Sequence, residues 1–396
     1  MKLYQDPFLF KTSAKVKNIT EKNDFLFAEF DRTNFYPGGG GQPNDIGTVE
    51  NENFTGKVVS VEKINNRIIH KIKPIKGKLS IDDKVNLNIN KNRRISLIKM
   101  HTGEHILFKS IKKQIPDIKL DKIDLKQDES SLYVKSNNLS WKTLFEAEDL
   151  ANSIIQADKK IHIKFLDKTE AEKNKELRIK LDRISSEKIR VIEIDDFDLS
   201  ACAGIHAKTT GFVKNIIITK FVFQKGSYEI RFKTDAINKI FNYSKTARQA
   251  ADILNTDPDS VISLLKKTIH ERDEFKEKYR NLLDKIPVSL NTEKTGNIIF
   301  KYKVFENYNR KKLIDTINEN KEDDSIILLI NKKEKNATVM LTCSDTLDYD
   351  ILQILKKSFR KFNGKGGGRN KFAQGSVNSK HINALIKEIR NLIQNI

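Results

Sequence analysis

Two pairs of potential metal ligands, far apart along the chain, constrain its fold most strongly. The first pair is His101 and His105, and the second is Cys202 and His206, each with three residues between its members. On a helix, positions i and i+4 project from the same face, so His101 and His105 can direct two imidazoles at one ion. Three imidazoles and one thiolate suit zinc. Either pair alone would indicate ordinary core residues, but both together favour one zinc ion per chain.

A glycine-rich segment, Phe35–Pro43, precedes both pairs and ends in a single amide side chain. Its glycines allow backbone N–H groups to approach a ligand closely, although such a segment alone is more often a turn between strands. A second glycine-rich stretch near the C-terminus, Gly364–Arg369, is followed by Ala373–Gly375.

With Thr33 ahead of the first glycine segment and the two ligand pairs after it, the chain resembles the editing domain of alanyl-tRNA synthetase. In particular, it is similar to the free-standing alanyl-tRNA editing proteins of the AlaX type, long form. The C-terminal glycine stretch resembles the last domain of the same synthetase, which also occurs on DHH phosphoesterases. Three motifs in the family's order extend the resemblance over nearly the whole chain.

The resemblance implies a trans-editing hydrolase that deacylates tRNA(Ala) mischarged chiefly with serine, and it leaves open whether Gly-tRNA(Ala) is cleared as well. A pocket for alanine cannot strongly reject serine by binding alone, so a second site must hydrolyse the mistake. The resemblance makes Thr33 the candidate that recognises the serine hydroxyl, and an ordinary strand-end threonine is an equally weighted interpretation. Only 34 residues precede Phe35, so we expect no aminoacylation domain and no aminoacylation.

The chemistry at the metal stays open at this stage. Zinc can activate water, polarise the ester carbonyl or hold the substrate, but four protein ligands are typical of a structural site. Gln42 and the backbone amides of Gly39, Gly40 and Gly41 are candidates for stabilising the oxyanion of the tetrahedral intermediate.

Two rival interpretations begin from the same residues. His101-x-x-Glu104-His105 matches an inverted zinc-protease motif in which Glu104 is the base, but it leaves the cysteine pair unexplained. In the editing interpretation, Glu104 is either a general base or a group that orients a ligand. The other rival is an RNA-binding protein with a structural zinc.

The motifs depart from the family in two places. Ala203 and Ile205 stand where the family has a glycine and a threonine, which predicts an altered pocket wall at Ile205. Asn370–Phe372 stands where the C-terminal motif usually reads Pro-Asp-Met. The four ligands are kept, so we still expect metal binding.

The charge balance favours a polyanionic partner. Lys and Arg number 73 against 53 Asp and Glu, a net charge of +20, and an AT-rich genome could also produce this bias. The last 46 residues hold ten basic residues and one acid. We therefore expect tRNA contacts from Lys365, Arg369 and Gln374. No apolar leader or membrane span is evident, and two distant cysteines suggest no disulfide; we expect a cytoplasmic protein.

The predicted fold class is α+β in four parts. Residues 1–90 form a small β-barrel that carries the glycine loop, and residues 91–235 form the zinc-binding α+β editing domain. Residues 236–290 are predicted to form a helical hairpin or coiled-coil spacer, and residues 296–396 a basic α/β domain with a flexible glycine loop. Whether the spacer or the C-terminal domain makes a homodimer is left open.

Overall fold

The structure is a computed structural model that describes residues 6–136, 139–174, 176–179, 187–285 and 288–395. The chain forms two compact units, Met1–Pro258 and Asp259–Ile396. The boundary lies within the predicted spacer, and the four-part division stays a prediction.

A closed six-stranded barrel opens the first unit, in the order β1-β2-β5-β4-β3-β6. Alternation in β2 shows why it forms: Leu26, Ala28 and Phe30 point inward and are buried, while the residues between them are partly exposed. The predicted mixed α+β class with a small N-terminal barrel is therefore confirmed. The barrel strands are β1 (Lys11–Lys22), β2 (Phe25–Phe30), β3 (Gly47–Glu50), β4 (Phe54–Ile64), β5 (Arg67–Gly77) and β6 (Lys84–Ile89).

Two helices and a four-stranded sheet follow the barrel and share one hydrophobic core. The side chain of Asn90 caps the first helix and that of Ser140 caps the second, each accepting a backbone N–H of the first turn. The sheet has the order β12-β13-β8-β7. These elements are α1 (Lys91–Gln114), β7 (Lys119–Asp124), β8 (Ser130–Lys135), α2 (Trp141–Gln156), β12 (Ile216–Gln224) and β13 (Ser227–Thr234).

A three-stranded sheet, β11-β10-β9, completes the part of the first unit that surrounds the ligand pairs. Its elements are β9 (Ile161–Asp167), α3 (Lys168–Lys173), β10 (Lys188–Ile194) and β11 (Asp198–Ala201). The charged sequence of Lys168–Leu181 is typical of a single helix, but α3 covers only its first six residues. Asn174 is extended, and Arg178 forms a bridge with Ser200, so tertiary contacts override the local helical pattern. Positions 175, 180 and 181 of that prediction lie outside the described residues.

Two long helices lie on either side of the unit boundary: α4 (Ile237–Ile253) in the first unit and α5 (Val261–Lys285) in the second. The sequence of α5 places apolar side chains at helical spacing, and these are largely exposed, including Ile262, Phe275 and Tyr279. The helical hairpin and its role as a spacer stay predictions.

The second unit is built on a six-stranded sheet of order β14-β15-β16-β17-β19-β18, in which only the β15–β16 pairing is parallel among the described strands. Helices α7 and α8 pack with this sheet around one core, and α6 belongs to a smaller one. The elements are β14 (Asn291–Thr295), β15 (Ile298–Glu306), α6 (Arg310–Asn320), β16 (Ser325–Lys332), β17 (Asn336–Cys343), α7 (Ile351–Lys361), β18 (Lys365–Arg369), β19 (Phe372–Asn378) and α8 (Ile382–Gln394).

The glycine stretch predicted as a flexible loop is instead strand β18, paired with β19 along its whole length. A Cβ at Gly375 would lie 2.3 Å from a ring carbon of Phe359 on α7. Glycine is therefore needed at position 375, because β19 lies directly against α7 at this point.

Among the described residues, no helix is both long enough and apolar enough to cross a membrane.

Candidate metal centre

The four predicted ligands come together at one point. Their ligand atoms all lie within 4.8 Å of one another. Cys202 Sγ is 3.3 Å from His101 Nε2 and 3.4 Å from His206 Nε2. Zn–N bonds of about 2.0 Å and Zn–S bonds of about 2.3 Å in a tetrahedron place neighbouring ligand atoms about 3.3–3.6 Å apart. The two distances from Cys202 Sγ therefore fit tetrahedral coordination of one ion.

The two ligand pairs belong to different structural elements, a helix and a loop. His101 and His105 lie on successive turns of the buried middle of α1, with ring centroids 5.4 Å apart. Cys202 and His206 lie in the loop that follows β11, so their spacing does not reflect a helix. This loop brings the side chains of Cys202 and His206 to the histidines of α1.

The outer nitrogens of the three imidazoles are each held by the protein. His105 Nδ1 lies 3.2 Å from Asp198 Oδ2, and His206 Nδ1 lies 3.4 Å from Thr102 Oγ1. Because a carboxylate only accepts, His105 Nδ1 carries the proton and its Nε2 keeps a free lone pair. Such outer partners fix the tautomer and orientation of a metal-binding histidine.

Gln42 holds the third imidazole and links the glycine segment to the cluster. The backbone N–H of Ile205 donates to Gln42 Oε1 at 3.0 Å, which identifies this atom as the oxygen. His101 Nδ1, 2.7 Å from the same Oε1, must therefore donate as well, leaving its Nε2 to face the cluster. Gln42 is buried, and its Nε2 has no hydrogen-bond partner among the described residues.

Burial controls the charge of the cluster. It lowers the pKa of His101 to about 3 and holds the pKa values of His105 and His206 well below the usual range, with nearby arginines acting in the same direction. Burial also raises the pKa of Cys202 to about 11. The imidazoles are thus neutral and ready to coordinate, and binding of a cation would release the thiol proton. This donor set fits zinc.

The glycine segment folds as a tight turn against the cluster. Gly39 and Gln42 exchange two backbone hydrogen bonds of 3.0 Å, and the Tyr36 hydroxyl donates to Gly39 O. All four glycines have positive φ, from 60° at Gly40 to 135° at Gly39, which L side chains rarely adopt. The backbone N–H of Gly39 already donates to Gln42 O, so it would have to leave this hydrogen bond to stabilise an oxyanion as predicted.

Glu104 is fully buried beside the ligands and is paired with Arg178. Arg178 Nη1 donates to Glu104 Oε1 at 2.8 Å, and its Nε donates to Ser200 Oγ at 2.9 Å. Ser200 in turn donates to Asp198 Oδ2, the atom that faces His105. Burial raises the pKa of Glu104, and the arginine opposes that rise. Glu104 thus belongs to a network of hydrogen bonds behind His105.

A second arginine supports the cysteine loop. Arg190 Nη1 donates to the carbonyl oxygens of Cys202 and Gly204 at 2.6 and 2.9 Å. Ile205, which the departure from the family motif singled out, is buried with Tyr36, Ile98 and Ala207. Its side chain thus packs in a small core beside the glycine segment.

Thr33 lies just after β2 and makes contacts within the barrel. Its Oγ1 is 3.0 Å from His70 Nε2 and accepts the backbone N–H of Phe35 at 3.1 Å. No hydrogen bond found among the described residues joins Thr33 to the four ligands, so its predicted substrate contact stays a prediction.

In the second unit, Lys365 and Gln374 line a shallow groove of about 470 Å³ along the β18–β19 hairpin. Arg369, at the end of β18, is exposed. Gln374 Oε1 accepts a hydrogen bond from Arg310 Nη2 at 3.0 Å. The three residues predicted to contact tRNA thus lie on one hairpin.

Sequence reasoning missed the residues that orient the ligands: Thr102, Arg178, Arg190 and Asp198. Asp198 ends a short acidic stretch at the start of β11, and Thr102 is next to the ligand His101, so these positions in the sequence could have drawn attention to both. No pattern in the sequence distinguishes the two arginines from the other basic residues.

Three family models match separate parts of the chain. They are described as tRNA synthetases class II (A), over residues 7–93; threonyl and alanyl tRNA synthetase second additional domain, over residues 189–240; and DHHA1 domain, over residues 296–395. The order is that of the three sequence motifs. The chain therefore resembles tRNA synthetases in three successive segments, the second matching the second additional domain and the third the DHHA1 domain.

Similarity to whole proteins is more specific. The alanyl-tRNA editing protein AlaX-L of Pyrococcus horikoshii is 29% identical over 391 residues, covering 95% of this chain and 94% of that protein. The alanine–tRNA ligase of Pyrobaculum arsenaticum is 27% identical over 98% of this chain, which spans only 43% of the ligase. The predicted resemblance to the long AlaX-type editing proteins is thus confirmed.

Among solved structures, the C-Ala domain from Aquifex aeolicus alanyl-tRNA synthetase covers 26% of this chain and 98% of its own, at 17% identity. Its TM-score of 0.25 is too low to support an inference.

Proposed function

We propose that this protein is a zinc-dependent trans-editing hydrolase that deacylates tRNA(Ala) mischarged with serine, and with glycine as a second substrate. The observation that carries this proposal is the hydrogen bond between Gln42 and His101, because it attaches the glycine segment directly to the metal cluster. The full-length similarity to a protein named for alanyl-tRNA editing supports the choice of substrate class.

A zinc ion at the four ligands would supply a Lewis acid beside the ester carbonyl. Gln42 has a second role available, because its Oε1 orients His101 while its buried Nε2 keeps both N–H groups for a substrate oxygen. A donor aimed at the developing oxyanion in a buried site is typically a large contribution to ester hydrolysis. Thr33 is the proposed contact for the serine hydroxyl, which alanine lacks.

The general base stays a prediction. For Glu104 to accept a proton from water, it would have to give up its ion pair with Arg178, so its contacts favour an orienting role. The same pair weighs against the inverted zinc-protease interpretation, in which Glu104 must be the base. That interpretation also gives no role to Cys202, which lies among the ligands.

Affinity for tRNA is proposed to come largely from the second unit. Lys365 and Arg369 lie on the β18–β19 hairpin beside a groove. Contacts of this kind to phosphates are sensitive to salt and largely independent of sequence. Selection of tRNA(Ala) would then depend on its acceptor stem.

Deacylation of Ser-tRNA(Ala) by the zinc-loaded protein tests the proposal, with Ala-tRNA(Ala), Gly-tRNA(Ala) and Ser-tRNA(Ser) alongside. We expect selective loss of the mischarged tRNA(Ala) species. Cys202→Ala should abolish it, whereas Cys343→Ala, which removes the other cysteine, should keep both zinc content and activity. Hydrolysis that is unaffected by Cys202→Ala would contradict the proposal.

An RNA-binding protein with a structural zinc is the second candidate, favoured by the complete set of four protein ligands. Zinc-loaded protein that binds tRNA but cleaves none of the four esters would establish this alternative. Loss of deacylation on zinc removal, with the fold and tRNA binding intact, would exclude it.

A further inference from the structure

His70 is a buried histidine that the reaction outlined above does not use. It lies on β5 inside the barrel and is fully buried. The rings of Phe30 and Phe35 pack edge-on against it, with centroids at 4.9 and 5.4 Å. The imidazole is therefore fixed in orientation, with Nδ1 beside the carbonyl oxygen of Ala28 and Nε2 beside the hydroxyl of Thr33. A backbone hydrogen bond with Ile68 also acts on the ring.

These partners decide which nitrogen carries the proton. Nδ1 lies 3.3 Å from the carbonyl oxygen of Ala28, which can only accept. Burial lowers the pKa of His70 to about 4, so the ring holds a single proton at neutral pH. Nδ1 therefore donates to Ala28, and Nε2 must accept.

The hydroxyl of Thr33, 3.0 Å from that Nε2, consequently donates its only proton to His70. Its oxygen also accepts the backbone N–H of Phe35. A hydroxyl has one proton and two lone pairs. Thr33 thus has one lone pair left and no proton to offer a ligand.

We propose that His70 is a positioning residue for substrate specificity, which fixes the Thr33 hydroxyl as a pure hydrogen-bond acceptor. A serine side chain can donate to such an acceptor, whereas the hydrogen of glycine and the methyl of alanine cannot. This inference rests on the proposed function, because it assigns a direction to the Thr33–serine contact. It adds a second residue, distant in sequence, to the discrimination between seryl and glycyl esters.

The test compares kcat/KM for Ser-tRNA(Ala) and Gly-tRNA(Ala) in the full-length, zinc-loaded protein. His70→Leu removes the acceptor of the Thr33 proton and should lower the seryl-to-glycyl ratio about 3- to 10-fold, the size of one ordinary hydrogen bond. His70→Gln offers Oε1 as a replacement acceptor and should keep most of the ratio. Thermal unfolding and zinc content of each variant separate this effect from misfolding.

A double-mutant cycle tests whether His70 affects specificity through the Thr33 hydroxyl. If His70 acts through the hydroxyl, then in a Thr33→Val background His70→Leu changes the ratio no further. An unchanged ratio in folded His70→Leu, or additive losses in the double variant, would overturn the inference while leaving trans-editing intact.

Nitrogen-15 NMR of the histidine-labelled wild-type protein reports the tautomer of His70 directly, so this test does not depend on the folding of any variant. A protonated Nδ1 and a bare Nε2 at neutral pH are expected for His70, and the opposite tautomer would overturn the inference. If the wild-type protein cleaves neither ester, the proposed function fails, and the specificity role of His70 fails with it.

Discussion

Gln42 and His101, 59 positions apart, are joined by a 2.7 Å hydrogen bond that fixes the imidazole for coordination. The bond is possible because Gly204 leaves room beside it. A Cβ at position 204 would lie 2.0 Å from His101 Cε1 and 2.9 Å from Gln42 Oε1. Glycine is thus required at position 204, because His101 and Gln42 approach the backbone too closely for a Cβ.

Gly204→Ala should therefore displace His101 and lower zinc affinity by at least about tenfold. Competition with a chromogenic chelator measures this directly. Gly367→Ala is the matched control, because an added Cβ there meets no described atom within 4 Å. Equal affinities in the two variants would show that the room beside His101 is not needed.

Asp198→Asn tests the partner of His105. The carboxylate fixes the protonated Nδ1 of His105, and loss of such a partner typically lowers metal affinity about 10- to 100-fold. The control is Asp195→Asn, because Asp195 pairs with the half-exposed His162 away from the ligands. The same chelator competition should separate the two variants.

Arg94→Met tests the buried ion pair that supports the glycine segment. Arg94 Nε lies 3.0 Å from both carboxylate oxygens of Asp45, which also accepts the backbone N–H of Tyr36. Leaving Asp45 buried and uncompensated should cost about 3–5 kcal/mol in the free energy of unfolding. Arg67→Met breaks a half-exposed pair with Glu29 and should cost less than about 1 kcal/mol. Urea unfolding of both variants provides the comparison.

His70 should make stability depend on pH. Its pKa is about 4 in the folded protein and about 6.5 in the unfolded chain, so the unfolded chain binds more protons between these values. Stability is therefore fully present above pH 6.5 and falls as the pH drops towards 4. Between pH 7 and pH 5 we expect wild-type protein to lose about 2 kcal/mol more than His70→Gln. If urea unfolding at pH 7 and pH 5 shows that both proteins lose the same free energy of unfolding, this prediction is refuted.

Much of the site was predictable because its signals are local. The i, i+4 spacing of His101 and His105 needs only helix geometry, and the glycines that precede Gln42 indicate a special turn. Short β-rich segments separated by turn residues predicted the barrel in the same way. The second ligand pair was found by composition and spacing, although Cys202 and His206 lie in a loop.

Where local pattern and tertiary contact disagreed, the prediction was wrong. The charged stretch after Lys168 loses its helix after six residues, and Arg178 beyond it bridges to Ser200. The glycine stretch at Lys365 forms an edge strand because β19 supplies hydrogen-bond partners along it. Neither partner is visible from the residues of the segment itself.

The sequence by itself determined which residues could bind a metal, their order along the chain and the family they resemble, because these follow from residue type and spacing. Only the tertiary structure decided that Asp198 faces His105, that Arg178 neutralises Glu104, and that His70 receives the proton of Thr33. Each of these relations joins side chains that are far apart in the sequence. Their meeting depends on how the strands and helices pack, and the direction of each hydrogen bond depends on the burial that packing creates.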